Sequence, residues 1–202
     1  MEEKLKNLLS DGLQAINPDY NTPQILNKLA AYCDQINLFN PSLGLVNASG
    51  EELVDRHILD SLRPLPYIAA EVQKAFPGGA AIADLGSGNG MPGLVIACVT
   101  SQLEKPFKIS LVERMGRRAG FLRNTLAVTG LASQVQVVQE DITALRETYD
   151  VLIMRAFRPL DAVREDLLRL CREGSLVFIW TANAPNGVTG LRKTAAGVFQ
   201  NL

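Results

Sequence analysis

The sequence predicts an α/β fold in which a segment of helices precedes a parallel, doubly wound sheet. From residue 80 onward, short apolar runs alternate with amphipathic helix-like stretches, a pattern typical of parallel strands covered by helices on both faces. The first of these runs, residues 80–85, leads into a loop with several glycines. Residues 2–76 show only helix-like patterns separated by turns. These observations favour an α/β core with a helical N-terminal extension.

The N-terminal extension is expected to contain four helices. Thr22 and Pro23 suit the cap and first turn of the second one, because proline is tolerated where a helix begins. The predicted helices span residues 2–16, 22–39 and 51–62, and a last stretch that follows Pro66 and ends near Phe76. We expect residues 1–78 to pack on a core formed by residues 79–202, as one structural unit.

The core shows a regular alternation of strands and helices. The predicted elements are strand 80–85, helix 92–103, strand 107–113, helix 116–129, strand 134–139, strand 150–154, helix 160–172 and strand 175–180. In such sheets, ligands bind beyond the carboxyl ends of the strands. Polar residues at those ends are therefore candidate site residues.

Length and composition limit the class of protein. With 202 residues and 47% hydrophobic content, the chain can bury one core of moderate size. No apolar run approaches the roughly 20 residues of a membrane span, and Met-Glu-Glu-Lys-Leu-Lys at the start does not resemble a signal peptide. We expect a cytoplasmic protein.

Cys33, Cys98 and Cys171 are far apart in the sequence, which favours buried free thiols over a disulfide framework or a metal site.

The charge distribution is uneven although the net charge is only −1. Residues 1–60 carry 4 basic and 9 acidic side chains, whereas residues 114–202 carry 12 and 8. Four arginines and no acids lie between residues 114 and 139. A cationic face of this kind can contact RNA phosphates, although a solvated helix face is the alternative. The candidate RNA-binding residues are Arg117, Arg118, Arg123 and Arg158.

The glycine loop supports two interpretations. Gly88, Gly90 and Gly93 match the G-x-G-x-x-G pattern of dinucleotide-binding loops, and Glu113 follows 20 residues later. However, Asp84 precedes Gly86 by two residues, and a carboxylate there would repel a pyrophosphate. It suits the ammonium end of S-adenosylmethionine better. The loop therefore favours S-adenosylmethionine, with a nicotinamide dinucleotide as the less favoured ligand and a purely structural turn, capped by Asp84, as the alternative.

Acidic residues and one arginine follow the other predicted strands. Glu113 closes the second strand and can accept from two ribose hydroxyls. Glu140 and Asp141 follow the third strand, and Asp141 can accept from an adenine amino group or cap the segment that begins at Thr143. Arg155 follows the fourth strand. These positions converge on one edge of the sheet.

Four motifs across residues 30–180 together resemble one bacterial family. They are Arg56-His57-Ile58-Leu59-Asp60-Ser61-Leu62, the loop Asp84–Gly93, Gly116-Arg117-Arg118 followed by Phe121-Leu122-Arg123, and Arg155-Ala156-Phe157. In this order and near these spacings, the chain resembles the ribosomal RNA small subunit methyltransferase G family, also called glucose-inhibited division protein B. Each motif alone is weak, whereas the set is specific.

The resemblance implies a class I, S-adenosylmethionine-dependent enzyme that methylates guanine N7 in 16S ribosomal RNA. Its partner is then 16S ribosomal RNA or the small ribosomal subunit. The positions at the strand ends, together with the family resemblance, indicate which residues bind the cofactor. These candidates are Asp84, Gly86, Ser87, Gly88, Gly90, Met91, Pro92, Glu113, Glu140, Asp141 and Arg155. Arg155 is also the catalytic candidate, with an ion pair to Asp60 or Glu140 as the alternative. For the single histidine, His57, packing or capping is favoured over catalysis, and the family motif leaves a local functional role as the alternative.

Several departures from the family pattern keep other functions open. The family commonly has an arginine after the third strand and a lysine after the fifth, where this chain has Glu140-Asp141 and Trp180-Thr181-Ala182. A methyltransferase acting on a small molecule or protein, or a noncatalytic RNA- or ribosome-binding protein, is the alternative. After the fifth strand only 22 residues remain, and Val188 and Val198-Phe199 are weak strand candidates. We expect a monomer whose sheet either lacks the last strands, exposing residues 175–180 at an edge, or pairs differently.

Overall fold

The computed structural model describes residues 1–102, 107–181 and 187–202, which form a seven-stranded sheet flanked by helices. The strand order is β3-β2-β1-β4-β5-β6-β7. The strands are β1 Ala81–Leu85, β2 Lys108–Val112, β3 Val135–Val138, β4 Tyr149–Arg155, β5 Cys171–Trp180, β6 Val188–Lys193 and β7 Phe199–Asn201. Strands β1 to β5 pair in parallel, and the last two are antiparallel. The predicted doubly wound α/β class is confirmed.

The helices lie close to their predicted positions. They are α1 Glu3–Ile16, α2 Pro23–Leu43, α3 Gly50–Leu53, a π-helical segment Val54–Leu59, α4 Asp60–Leu62, α5 Leu65–Ala75, α6 Gly93–Thr100, α7 Gly116–Thr129 and α8 Leu160–Leu170. The last predicted residue of the helix 92–103 lies outside the described residues. The π-helical segment interrupts the predicted helix 51–62, and such wide turns often occur at functional positions.

Helix α2 illustrates how the N-terminal helices are specified. The hydroxyl of Thr22 accepts from the Ile25 N–H at 3.3 Å, which caps the first turn. Gly44 ends the helix in a left-handed conformation with φ +57°. Leu29 and Tyr32 are buried, and Phe39 meets Phe121 of α7 edge to face with ring centroids 5.7 Å apart. One face of α2 is therefore buried against the core.

The core consists of an apolar cluster on each face of the sheet. One cluster joins the N-terminal helices, α6 and α7 to side chains such as Ile82, Leu111 and Phe178. The other joins α8 to the opposite face through residues such as Leu152 and Leu167. Because the N-terminal helices share their cluster with the sheet, burial of apolar surface holds them on the core.

Of the two expectations for the C-terminal tail, the one in which the sheet lacks its last strands is wrong. Strand β6 pairs antiparallel with β5, and β7 pairs with β6. Residues 175–180 are therefore covered on both sides, and β7 forms the edge. The sequence signal was weak because only Val188 and Leu191 of β6 are buried. Main-chain hydrogen bonds, which need no apolar alternation, define the pairing.

The described residues contain neither a candidate membrane span nor a candidate metal cluster. No described helix has both the length and the apolar character required to cross a bilayer. The same residues contain no group of three or more His, Cys, Asp or Glu side chains that could hold a metal ion.

Candidate cofactor site at the carboxyl ends of the strands

A cavity of about 210 Å³ lies at the carboxyl ends of the parallel strands. Six residues singled out from the sequence line it: Gly86, Glu113, Arg118, Glu140, Asp141 and Arg158. A larger groove of about 690 Å³, with Lys108 and Tyr149 in its wall, lies at the opposite ends of the strands. It contains none of the site residues predicted from the sequence. The smaller cavity is therefore the candidate site, in agreement with the rule for open α/β sheets.

Asp84 lies beneath the glycine loop at the end of β1 and is 1% exposed. One carboxylate oxygen accepts from the N–H of Gly93 at 3.1 Å and so caps α6. The other, Oδ1, has no hydrogen-bond partner among the described residues. Burial raises the pKa of Asp84 to about 7, against the opposing effect of the hydrogen bonds from Gly93 and Ser87. The structure thus shows the capping role and leaves one buried acceptor unused.

The glycines of the loop have different roles. Gly86, Gly88 and Gly90 all have positive φ angles, of +69°, +53° and +95°. A Cβ on Gly90 would lie 3.0 Å from Leu94, so this glycine allows core packing. A Cβ on Gly88 would have only backbone O of Gly86 at 3.7 Å and Arg118 at 3.9 Å as neighbours. Gly88 therefore presents bare main chain to open space, as the sequence predicts for a ligand-binding turn.

The remaining loop residues hold the turn in place. Ser87 is buried, its N–H donates to Val112 O at 3.0 Å and its hydroxyl donates to Asp84 O at 2.8 Å. Met91 is buried and joined to Pro92 by a cis peptide bond. These contacts explain why the loop has its shape. A direct contact of Ser87, Met91 or Pro92 with a cofactor stays a prediction.

Glu113 connects β2 with the glycine loop. Its Oε2 accepts from the N–H of Gly88 at 3.0 Å, and its Oε1 accepts from the N–H of Met115 at 2.7 Å. The residue is 6% exposed and lines the cavity. Since each carboxylate oxygen has a second lone pair, Glu113 can accept from ligand hydroxyls while it holds the loop.

Asp141 caps a turn, which is the alternative left open by the sequence. Its Oδ1 accepts from the N–H and the hydroxyl of Thr143, at 3.1 and 3.0 Å. These bonds lower the pKa of Asp141. Glu140 is exposed beside it, and both residues line the cavity. Their contact with an adenine ring stays a prediction.

Of the predicted RNA-binding arginines, Arg118 and Arg158 line the cavity, whereas Arg117 and Arg123 are not part of its lining. Among the residues that the structure describes, Arg117, Arg118, Arg123 and Arg158 have no carboxylate within 4.0 Å. Arg117 and Arg118 lie in the first turn of α7, which contains no acidic residue. Cations are unfavourable at the positive end of a helix. Their placement therefore favours a function for them over helix stability.

Arg155 is held by the N-terminal extension. Its guanidinium donates to the carbonyls of Arg56 and His57, both at 3.0 Å, and to the Ser61 hydroxyl at 2.8 Å. It also pairs with Asp60 at 2.9 Å. The Arg155–Asp60 ion pair is the alternative to a catalytic role that the sequence offers. The Arg155 side chain does not line the cavity. His57 contributes its carbonyl, and burial followed by the charge of Arg155 lowers its imidazole pKa.

Two residues of the site had no role assigned from the sequence. Ala156 has φ +49° and is the single non-glycine residue with positive φ in the described part of the chain, a strained conformation that often occurs at functional sites. Phe157 packs its ring on Gly86, where a Cβ would lie 2.1 Å from a ring carbon. The motif Arg155-Ala156-Phe157 was visible, but only the chain path brings Phe157 onto the glycine loop.

Comparison with known proteins identifies the family. The model of the family GidB, rRNA small subunit methyltransferase G, matches residues 25–189. A protein of Treponema pallidum (strain Nichols) named ribosomal RNA small subunit methyltransferase G is 33% identical over 156 residues, which are 76% of this chain and 66% of that protein. One of the same name from Ruegeria sp. (strain TM1040) is 31% identical over 187 residues, 92% of this chain and 86% of that protein.

A solved structure shares the fold. It is a Plasmodium falciparum protein described as a protein-L-isoaspartate O-methyltransferase, in complex with S-adenosyl-L-homocysteine, with a TM-score of 0.54 and 15% identity. The similarity covers 98% of this chain and 93% of that one. With the family match across most of the chain, these findings confirm the resemblance stated from the motifs. The chain belongs to the ribosomal RNA small subunit methyltransferase G family.

Proposed function

We propose that this chain is an S-adenosylmethionine-dependent methyltransferase that transfers a methyl group to guanine N7 of 16S ribosomal RNA. The observation that carries the proposal is the pairing of bare main chain at Gly88 with the buried carboxylates of Asp84 and Glu113. Membership of the family, whose relatives are named for this class of reaction, supports it.

The residues of the site fit this cofactor. When Asp84 is ionised, its buried, unpartnered Oδ1 provides negative charge under the loop, which suits a ligand with ammonium and sulfonium groups. Glu113 suits the ribose hydroxyls, and Gly88 allows close approach to the main chain. The bound cofactor supplies an electrophilic methyl group on its sulfonium. The protein supplies binding, orientation and electrostatic stabilisation.

Methylation of guanine N7 requires no proton transfer by the protein. It has a lone pair and no proton, so its attack on the methyl group needs no general base. The described side chains lining the cavity include no histidine, in keeping with a reaction driven by positioning. Arg118 and Arg158 in the cavity wall, with Arg117 and Arg123 on α7, then bind the RNA backbone, because guanidinium groups without carboxylate partners suit phosphates.

The partner and setting follow from this reaction. We propose that the chain acts as a monomer on 16S ribosomal RNA, free or within the small ribosomal subunit, in the cytoplasm. The arginines of α7 support an RNA partner, since Arg117 and Arg123 are exposed and the partly exposed Arg118 lines the cavity.

The direct test uses labelled S-adenosylmethionine with small-subunit RNA or particles from a strain that lacks the modification. Label at guanine N7 is expected. Label in no RNA or particle would reject the proposal.

A second candidate, methylation of a small molecule or protein, is favoured by Glu140 and Asp141, which replace a family cation. Label transferred to such a substrate and to no RNA would select it, and cofactor binding without any transfer would indicate a noncatalytic RNA-binding protein.

A further inference from the structure

A second cavity adjoins the cofactor cavity. It measures about 310 Å³ and is bounded by Met154, Phe157, Arg158, Pro159, Ile179 and Trp180. We call it the outer cavity. It lies at the carboxyl ends of β4 and β5 and shares residues 156–158 with the cofactor cavity. The groove at the opposite ends of the strands shares none of these residues.

The walls of the outer cavity suit a flat aromatic ligand. Most of the wall residues that the structure describes are apolar or aromatic, and Arg158 is the one cation among these. RNA-binding proteins hold unstacked bases on aromatic side chains and arginine planes. Enzymes that modify a base extrude it into a pocket lined by such groups. The composition therefore fits a nucleobase with a phosphate at its rim.

Phe157 lines both cavities. Its ring packs on Gly86 of the glycine loop. Phe157 directly follows Ala156, whose backbone is strained. The Arg158 guanidinium lies 5.1 Å from the ring centroid. Arg158 is exposed and Phe157 is partly exposed. A cation–π contact at an exposed site is weaker than the stacking of a base on an aromatic ring. A base can therefore replace the guanidinium on the ring.

We propose that the outer cavity binds the target guanine, stacked on Phe157, and that the displaced Arg158 binds the adjacent RNA phosphate. The inference rests on the proposed function, because methyl transfer requires the acceptor atom to reach the cofactor cavity. Residues 156–158 form the wall that the two cavities share, so a base held there lies next to the cofactor. Phe157 is thus assigned as a residue that contacts the substrate.

The test uses the single tryptophan of the chain, Trp180, which lines the outer cavity. Unmodified small-subunit RNA is titrated into the protein saturated with S-adenosylhomocysteine, and tryptophan fluorescence is recorded with RNA binding by anisotropy. Quenching is expected for the wild type. Phe157→Ala is expected to lose most of the quenching and at least about tenfold in kcat/KM for RNA, whereas Phe157→Tyr retains both. Phe199→Ala, an aromatic truncation on β7, is the matched control.

The outcomes separate this inference from the proposed function. Methyl transfer by the wild type, with no change for Phe157→Ala in quenching or kcat/KM, would overturn the outer-cavity assignment alone. Equal losses in Phe157→Ala and Phe199→Ala would also overturn it. Quenching that depends on Phe157, without methyl transfer by the wild type, would support the base site and reject the enzymatic proposal. Circular dichroism establishes that each variant is folded.

Discussion

The guanidinium of Arg155 donates a hydrogen bond to the carbonyl of His57, 98 positions earlier in the sequence, at 3.0 Å. The same guanidinium contacts Asp60 and Ser61, so the Arg56–Leu62 motif and the Arg155-Ala156-Phe157 motif form one structural unit. This unit joins the N-terminal extension to the end of β4. It also determines where Ala156 and Phe157 lie, and hence the wall between the two cavities.

Replacing Arg155 by alanine is expected to destabilise the fold. The change removes a largely buried guanidinium and leaves two carbonyls and a hydroxyl without their donor, which costs about 2 kcal/mol. The free energy of unfolding in urea measures the effect, and turnover falls with it because residues 156 and 157 lose their anchor. Lys4→Ala, which breaks an exposed pair with Glu51, is the control. Loss of turnover with an unchanged free energy of unfolding would instead favour the direct catalytic role.

The contact between Gly86 and Phe157 predicts non-additive substitutions. Gly86→Ala places a methyl group 2.1 Å from a ring carbon, in a backbone conformation that alanine disfavours by about 1 kcal/mol. We expect a larger loss in the free energy of unfolding, of roughly 2 to 3 kcal/mol. Adding Phe157→Ala should recover the part that comes from the collision. Strictly additive losses in a double-mutant cycle would contradict the contact.

Gly88→Val is expected to weaken cofactor binding. The branched side chain would occupy the open space above the loop, with a loss on the order of 2 kcal/mol, or about thirtyfold in Kd by calorimetry. Gly44→Val is the matched control, since Gly44 also has a positive φ and open space around it but lies at the end of α2. If both variants bind the cofactor equally well, Gly88 does not face it.

The basic first turn of α7 predicts a salt-dependent RNA affinity. Changing Arg117 and Arg118 to glutamate should weaken RNA binding and reduce the slope of log K against log salt by roughly 1 to 2, since each phosphate contact contributes about 0.7 for a single strand. Arg164→Glu on α8 is the control, because it removes an exposed cation from another helix. An unchanged slope would show that this turn does not meet phosphate.

Asp84 predicts pH-dependent cofactor binding. Its pKa of about 7 in the folded protein exceeds the ordinary value of 3.8, so the folded state holds more protons than the unfolded state between these values. Its contribution to stability is therefore largest below pH 4 and falls as the pH rises to 7. Since a cationic ligand prefers the carboxylate, affinity should rise about tenfold from pH 6 to pH 8.

Calorimetry at both pH values, with Asp84→Asn as the comparison, measures this effect. The variant should bind weakly and show no such rise. The same pH dependence in the wild type and in Asp84→Asn would assign the titration to another group.

Local sequence determined much of this protein. Short apolar runs specified the five parallel strands, since strands covered on both faces carry consecutive buried residues. The acid-glycine loop indicated the site, because positive φ and bare main chain require glycine. The tertiary structure decided the partners of Arg155, the packing of Phe157 on Gly86 and the pairing of β6 and β7. These depend on which distant segments the chain path brings together, and neither residue type nor local spacing encodes that path.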